Sequence, residues 1–241
     1  MNHRHGLLMV VALGLCGCTG AEFNSDSSSS TKPAAQESAH GHHTDGDTER
    51  VMGSVDIGAG EHAGDVSTVN GGIHIGENAV VGQVETVNGS ITVDAHATAA
   101  LVETVNGGIH INDGTGIAGH VETVNGALNI GPGADIKGEL SNINGAISVA
   151  AAHIGGNIST VTGDIQIGPN AHVDGGIHVQ KNNSWFTLGS SVPRVVIAPG
   201  SVVKGELKFD RKVLLYVSDQ ATIGAVEGAT VNKFSGDAPA S

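Results

Sequence analysis

Aromatic side chains are almost missing: 241 residues hold 4 Phe, 1 Tyr and 1 Trp. Rings supply much of the bulk of a globular interior, so a wide aromatic core is excluded and a conventional enzyme pocket is disfavoured. Basic residues are also scarce. Eleven Lys and Arg stand against 24 acids, a net charge of −13 that argues against nucleic acid as a partner. Helical spacing is missing too, since no stretch after residue 50 sustains it over a helix's length. Glycine is plentiful at 37 residues, but without a Gly-X-Y period, which excludes collagen. What remains is 39% apolar residues, almost all Val, Ile, Leu and Ala, recurring in regular columns. These residues predict a thin core filled by β-branched aliphatics.

The N-terminus reads as a targeting segment. Arg4, with His3 and His5, forms a short basic region, and Gly6 to Leu15 is an apolar run too short to span a bilayer. It ends in Leu15-Cys16-Gly17-Cys18, which resembles the lipobox of bacterial lipoproteins. The resemblance implies a signal peptide over 1–17, cleavage before Cys18, and lipid on its thiol and new amino terminus. Cys16 is removed with the peptide, so no disulfide is expected. Several acyl chains at about 0.8 kcal/mol per CH₂ anchor such a chain essentially permanently. Thr19, where an Asp would imply inner-membrane retention, favours the outer membrane in a Gram-negative cell. The expected location is extracytoplasmic, lipid-anchored to the membrane.

Residues 18–50 read as a disordered tether, with Ser27 to Ser30 of low complexity and no apolar period. His40, His42 and His43, followed by Asp45 and Asp47, are candidate ligands for a divalent cation. A tether must be ordered before it binds, so a solvated linker is the reading retained, with no metal and no cofactor expected.

A repeat dominates the rest. VSTVNGGIHI, VETVNGSITV, VETVNGGIHI, VETVNGALNI, LSNINGAISV and ISTVTGDIQI begin at Val66, Val84, Val102, Val121, Leu140 and Ile158. Val55-Asp56-Ile57 looks like the end of an earlier copy. A second motif lies between copies, as in IGENAVVG from Ile75 and IGPNAHVDG from Ile167. A single copy cannot bury its own apolar face, whereas stacked copies can. The prediction is an all-β, single-stranded parallel β-solenoid (β-helix) over 51–232, with 18–19 residues and three short sides per coil. Coils about 4.8 Å apart make a rod of eight or nine turns, with a loop insertion near 181–193 and a disordered tail over 233–241. That loop carries Trp185 beside Phe186 and is expected to pack over the rod.

Inward columns are expected at Val66/Val84/Val102/Val121, at Val69/Val87/Val105/Val124 and at Ile73/Ile91/Ile109/Leu128. Asn70, Asn88, Asn106, Asn125 and Asn144 each precede Gly. Asn-Gly tolerates the positive φ of a tight corner, and stacked amides are expected to form a structural ladder along the axis. Thr68, Thr86, Thr104 and Thr123 form a parallel hydroxyl column. Glu85, Glu103 and Glu122 stand in register on an exposed face, as do His74 and His110 with Thr92 between them; His178 shares their Ile-His-Val context.

Catalytic motifs are not found. IGPNAHV resembles the hexapeptide repeats of left-handed β-helix acyltransferases, but an exported chain lacks their cytosolic thioester donor. β-Helix lyase chemistry needs a base, and Lys137 is the only Lys or Arg between residues 51 and 180. That stretch has 13 acids, a net of −12, whereas 181–241 carries 5 acids and 7 bases, a net of +2.

IGPNAHVDGGIHV, IAPGSVVKGEL and ATIGAVEG resemble the bactofilins, a polymer-forming cytoskeletal β-helix family, over roughly residues 51 to 232. The resemblance implies a right-handed β-helix without a catalytic site, assembling end to end. The TVNG repeat is also similar to secreted, adhesin-like β-strand-repeat families. The expected function is thus a non-enzymatic, lipid-anchored scaffold; the alternative is an adhesive or ligand-binding envelope module for carbohydrate or cations. Expected partners are the membrane, further copies of the chain, and envelope polysaccharide or protein. Leu214, Leu215, Tyr216 and Val217 form the last apolar strand run and are the expected assembly end, with Lys204, Lys208, Arg211 and Lys212 just before it.

Overall fold

The computed structural model describes residues 46–181 and 192–239, and over them the chain winds as a parallel β-solenoid of about nine turns. All pairings among the described strands are parallel, and they build three sheets. The first face has ten strands, from Thr48–Met52 and Val66–Asn70 through to Val226–Glu227. The second also has ten, from Val55–Ile57 to Val231–Phe234. The third has seven two-residue strands, from Thr98–Ala99 to Thr222–Ile223, and isolated bridges through His62 and Val80 continue it toward the N-terminus. No helix occurs among the described residues.

Period-two alternation explains the interior. In Ile73–Ile75, Ile91–Val93 and Leu128–Ile130 the outer two residues are buried and the central one is not. Stacking puts Ile73 over Val55 and under Ile91, and so on up the axis. The core is therefore a set of aliphatic columns, and the fully buried Ile91, Ile109, Ile147 and Ile165 form one of them. Each such side chain contributes about 1.5–3 kcal/mol on leaving water, which a coil secures only when both neighbours are present.

One expected inward column is corrected on the first face. Val69, Val87, Val105 and Val124 do not point inward. The buried positions are Val66, Val84, Val102 and Val121, and two residues on, Thr68, Thr86, Thr104 and Thr123. An i to i+3 step cannot stay on one side of a strand, so the second Val of each VxxV is turned out and only half buried. The threonine hydroxyls are satisfied in the interior by donating to main-chain oxygens of the preceding coil: Thr86 to Gly71 O, Thr104 to Gly89 O and Thr123 to Gly107 O, each at 3.0 Å. Asn142 and Thr160 continue this buried column.

The Asn-Gly corners are also built differently. Among their five glycines only Gly145 has positive φ, at +133°. Glycine is required at the others by close approach. A Cβ on Gly71, Gly89, Gly107 or Gly126 would run into the carbonyl oxygen of Gly53, Gly71, Gly89 or Gly107 in the coil before. The left-handed corner is the one between the second and third faces, where Gly60, Asn78, His96, Gly114, Gly133, Asn170 and Gly200 have φ between 58° and 71°.

The boundaries shift as well. Thr48–Met52 pairs in register with Val66–Asn70, so the solenoid takes in residues expected to belong to the tether. The last strand runs to Phe234, two residues into the expected tail. Strands Ile177–Val179 and Arg194–Ile197 bracket the interruption of the period. The expectation for Trp185 and Phe186 lies outside the described residues.

Candidate functional site

Cys18, the expected lipidation residue, and His40, His42 and His43 lie outside the described residues. The candidate surfaces within them are columns of side chains, one rung per coil.

Five asparagines and a threonine form a continuous ladder at the edge of the first face. Asn88 Nδ2 donates to Asn70 Oδ1, Asn106 to Asn88, Asn125 to Asn106 and Asn144 to Asn125, each at 3.0 Å. Thr162 Oγ1 closes the series on Asn144 Oδ1 at 2.5 Å. Each amide from Asn88 to Asn144 uses its donor downward and its acceptor upward, so the column links coils through side chains as the sheet links them through the main chain.

Beside it stand the acids. Glu85 pairs with Glu103 and Glu103 with Glu122 across adjacent strands. Partial burial and the charge of Glu103 raise the carboxyl pKa of both Glu85, with a further push from Asp65, and Glu122. His120 approaches Glu103 at 2.5 Å and offsets part of the repulsion felt by Glu122. The column continues N-terminally to Ser67 and C-terminally to Ser141, Ser159, His178 and Lys208.

His178 therefore does not share the face of His74 and His110. It belongs to the first sheet, one coil on from Ser159, where Asp210 holds it at 2.7 Å. His74, Thr92 and His110 do follow one another on the second face. His74 sits between Asp94 at 2.8 Å and Asp56 at 3.4 Å. Its partial burial works against charge, but the hydrogen bond and field of Asp94, with Asp56, outweigh that and raise its pKa.

The densest charge network is on the third face, and sequence reasoning missed it. His153 Nδ1 lies 2.8 Å from Asp135 and its Nε2 lies 3.0 Å from Asp174. Lys137 pairs with Asp135 at 2.5 Å, Lys204 with Asp174 at 2.7 Å, and the His153 and His172 rings stand 6.2 Å apart. The hydrogen bonds that Asp135 and Asp174 accept from the imidazole raise the His153 pKa. Lys204 and His153 together lower Asp174 to about 2, and Lys137 and His153 lower Asp135. Asp135, His153 and His172 stack in register, and Lys137, Asp174 and Lys204 follow the next inward residue of their own strands. Aligning DIKG, HIGG, HVDG and VVKG would have shown this; the eye follows the more regular TVNG copies instead.

Comparison with family models, curated proteins and solved structures finds no match to this chain. Among the described residues, no group of three or more His, Cys, Asp or Glu is arranged to hold a metal ion. The third-face imidazoles and carboxylates are committed to one another across coils, an arrangement that ties rungs together.

The expected assembly end is corrected by its pairing. Leu214–Ser218 is covered on one edge by Arg194–Ile197 and on the other by Val231–Phe234. Leu215 and Val217 are buried, and Tyr216 lies outward beneath the Arg194 guanidinium at 5.0 Å. Val231–Phe234 and Val226–Glu227 form the last rung instead.

Proposed function

We propose that this protein is a non-enzymatic scaffold of the bacterial envelope, anchored by lipid on Cys18 and assembling end to end through its solenoid in the manner of bactofilins. One observation carries this reading. The end strands, Thr48–Met52 and Val55–Ile57 on one side and Val226–Glu227 and Val231–Phe234 on the other, each have a partner on a single edge among the described residues. An unpaired strand edge is a template for another chain, and a heterologous contact between unlike ends grows without closing. Val51 and Met52 add exposed apolar surface there, at 71% and 79% accessibility.

Light scattering across concentration tests it. Wild type is expected to form species far larger than a monomer, persisting as salt rises because main-chain pairing between end strands does not rest on opposite charges while flank repulsion is screened. Val51→Lys with Met52→Lys is expected to be monomeric with an unchanged melting temperature, since both side chains are exposed. A monomeric wild type under every condition would end the polymer reading.

The in-register Glu85, Glu103 and Glu122 favour a second reading, an adhesive surface module that takes cations or carbohydrate. Dispersed monomers retained on a glycan column would support it.

A further inference from the structure

We propose that Asn144 is a site of spontaneous deamidation, the one reactive member of five Asn-Gly pairs whose other four the solenoid protects. In this reaction the main-chain nitrogen of the following glycine attacks the asparagine Cγ. A C–N bond forms, the Cγ–Nδ2 bond breaks, and the proton of the attacking nitrogen leaves with Nδ2 as ammonia. Solvent water then opens the succinimide to aspartate or isoaspartate; no electrons are exchanged. Glycine favours the attack because it has no side chain to obstruct it, so every TVNG copy carries the reactive pair.

What distinguishes the five is the state of the nucleophile. Gly71 N–H donates to Asn88 O at 3.1 Å, Gly89 to Asn106 O at 3.1 Å, Gly107 to Asn125 O at 3.0 Å and Gly126 to Asn144 O at 2.9 Å. Each of these nitrogens must break a sheet-like bond before it can attack. By the same register Gly145 would donate to Thr162 O, but no such bond forms. The first-face strand above shortens to Ile158–Thr160, and its pairing to Leu140–Asn144 ends at Ser141 and Ser159. Thr162 N–H instead reaches Ile143 O at 3.0 Å. Gly145 also departs in conformation, with φ +133° where the other four are not left-handed.

The electrophile is distinct too. Like the other four, Asn144 is exposed to the water that completes the reaction. Its Oδ1 accepts the Thr162 hydroxyl at 2.5 Å, where the other four accept an amide of the next asparagine. A hydroxyl on that oxygen draws charge from the carbonyl and stabilises the oxyanion formed on attack. The product carboxylate has no N–H to donate to Asn125 Oδ1, so deamidation removes the rung that joins these two coils in the ladder.

The test is to age the full folded chain in mildly alkaline buffer and follow each Asn-Gly pair by peptide mapping, with isoaspartate-specific methylation as a second readout. A parallel sample is aged in denaturant. In the folded chain Asn144 is expected to convert roughly tenfold faster than Asn70, Asn88, Asn106 and Asn125, the factor set by one main-chain hydrogen bond. In denaturant the five should converge. Asn144→Gln is expected to remove the fast phase and leave the other four slow. Equal rates in the folded chain would overturn the proposal. So would the same preference for Asn144 in denaturant, which would assign it to neighbouring sequence instead of the fold.

Discussion

Gly107 and Gly108 occupy one corner, but their surroundings differ. A Cβ on Gly107 meets Gly89 O of the coil before, whereas one on Gly108 finds its nearest atom, Ala127 O, at 3.3 Å. Ser90, Ala127 and Ala146 fill the Gly108 slot in other copies, while Gly89, Gly126 and Gly145 fill the Gly107 slot. Gly107→Ala is therefore expected to destabilise by about 1–3 kcal/mol through forced separation of coils. Gly108→Ala should be neutral or stabilise by a few tenths, through the unfolded chain. Urea denaturation of the two variants checks this, and equal midpoints would refute the close-approach account of the corner.

The four first-face strands of the TVN copies, from Val66–Asn70 to Val121–Asn125, each place one aliphatic and one threonine inward. Val102→Asp sets a carboxylate among buried aliphatics with no partner, at several kilocalories per mole. Val105→Asp, on the half-buried outer side, should stay within about 1 kcal/mol. Thermal melts that rank the two the other way would invalidate the register.

On the second and third faces the elements are joined by imidazole–carboxylate and lysine–carboxylate pairs, and their pH dependence has a definite sign. His74 and His153 have raised pKa values, so their contribution is complete below the ordinary value of 6.5 and fades as pH rises through the folded value. Glu85 and Glu122 are raised from 4.5, so their ionisation also weakens the fold as pH rises past that value. Asp135 and Asp174 are lowered from 3.8; they stabilise above that value, and Asp174 loses its contribution as pH falls toward about 2. The stability maximum is therefore expected at mildly acid pH, about 4 to 5. A melting temperature that climbs steadily from pH 5 to 8 would contradict it.

For the molecule as a whole, the proposed anchoring and the proposed assembly make separate predictions. Under the proposed anchor, Cys18→Ala should release the protein from the membrane fraction and abolish incorporation of labelled fatty acid, because the proposal makes its thiol the attachment point. Persistence in the membrane fraction without label would refute the lipid anchor. The same variant keeps both end rungs, so released protein should still scatter light as an assembly.

Architecture was legible in the residues from Val55 onward because a parallel stack demands like residues at like positions. The TVNG copies, the Ile-x-Ile alternation and the Asn column all report that demand directly. Inside and outside on the VxxVN strand were not legible. Thr68 and Val69 are both compatible with either side, and only the main-chain oxygens of the preceding coil decide that the threonine is the one satisfied in the interior. The true end was hidden for a similar reason. Val213-Leu214-Leu215-Tyr216-Val217 reads as terminal because VNKF, at Val231–Phe234, is too polar to announce itself as a strand. Position along the repeat thus determined which residues stack. The third dimension decided which atoms a coil offers to the next, because carbonyl contacts, imidazole–carboxylate pairs and open edges arise between coils that the sequence separates by a full turn.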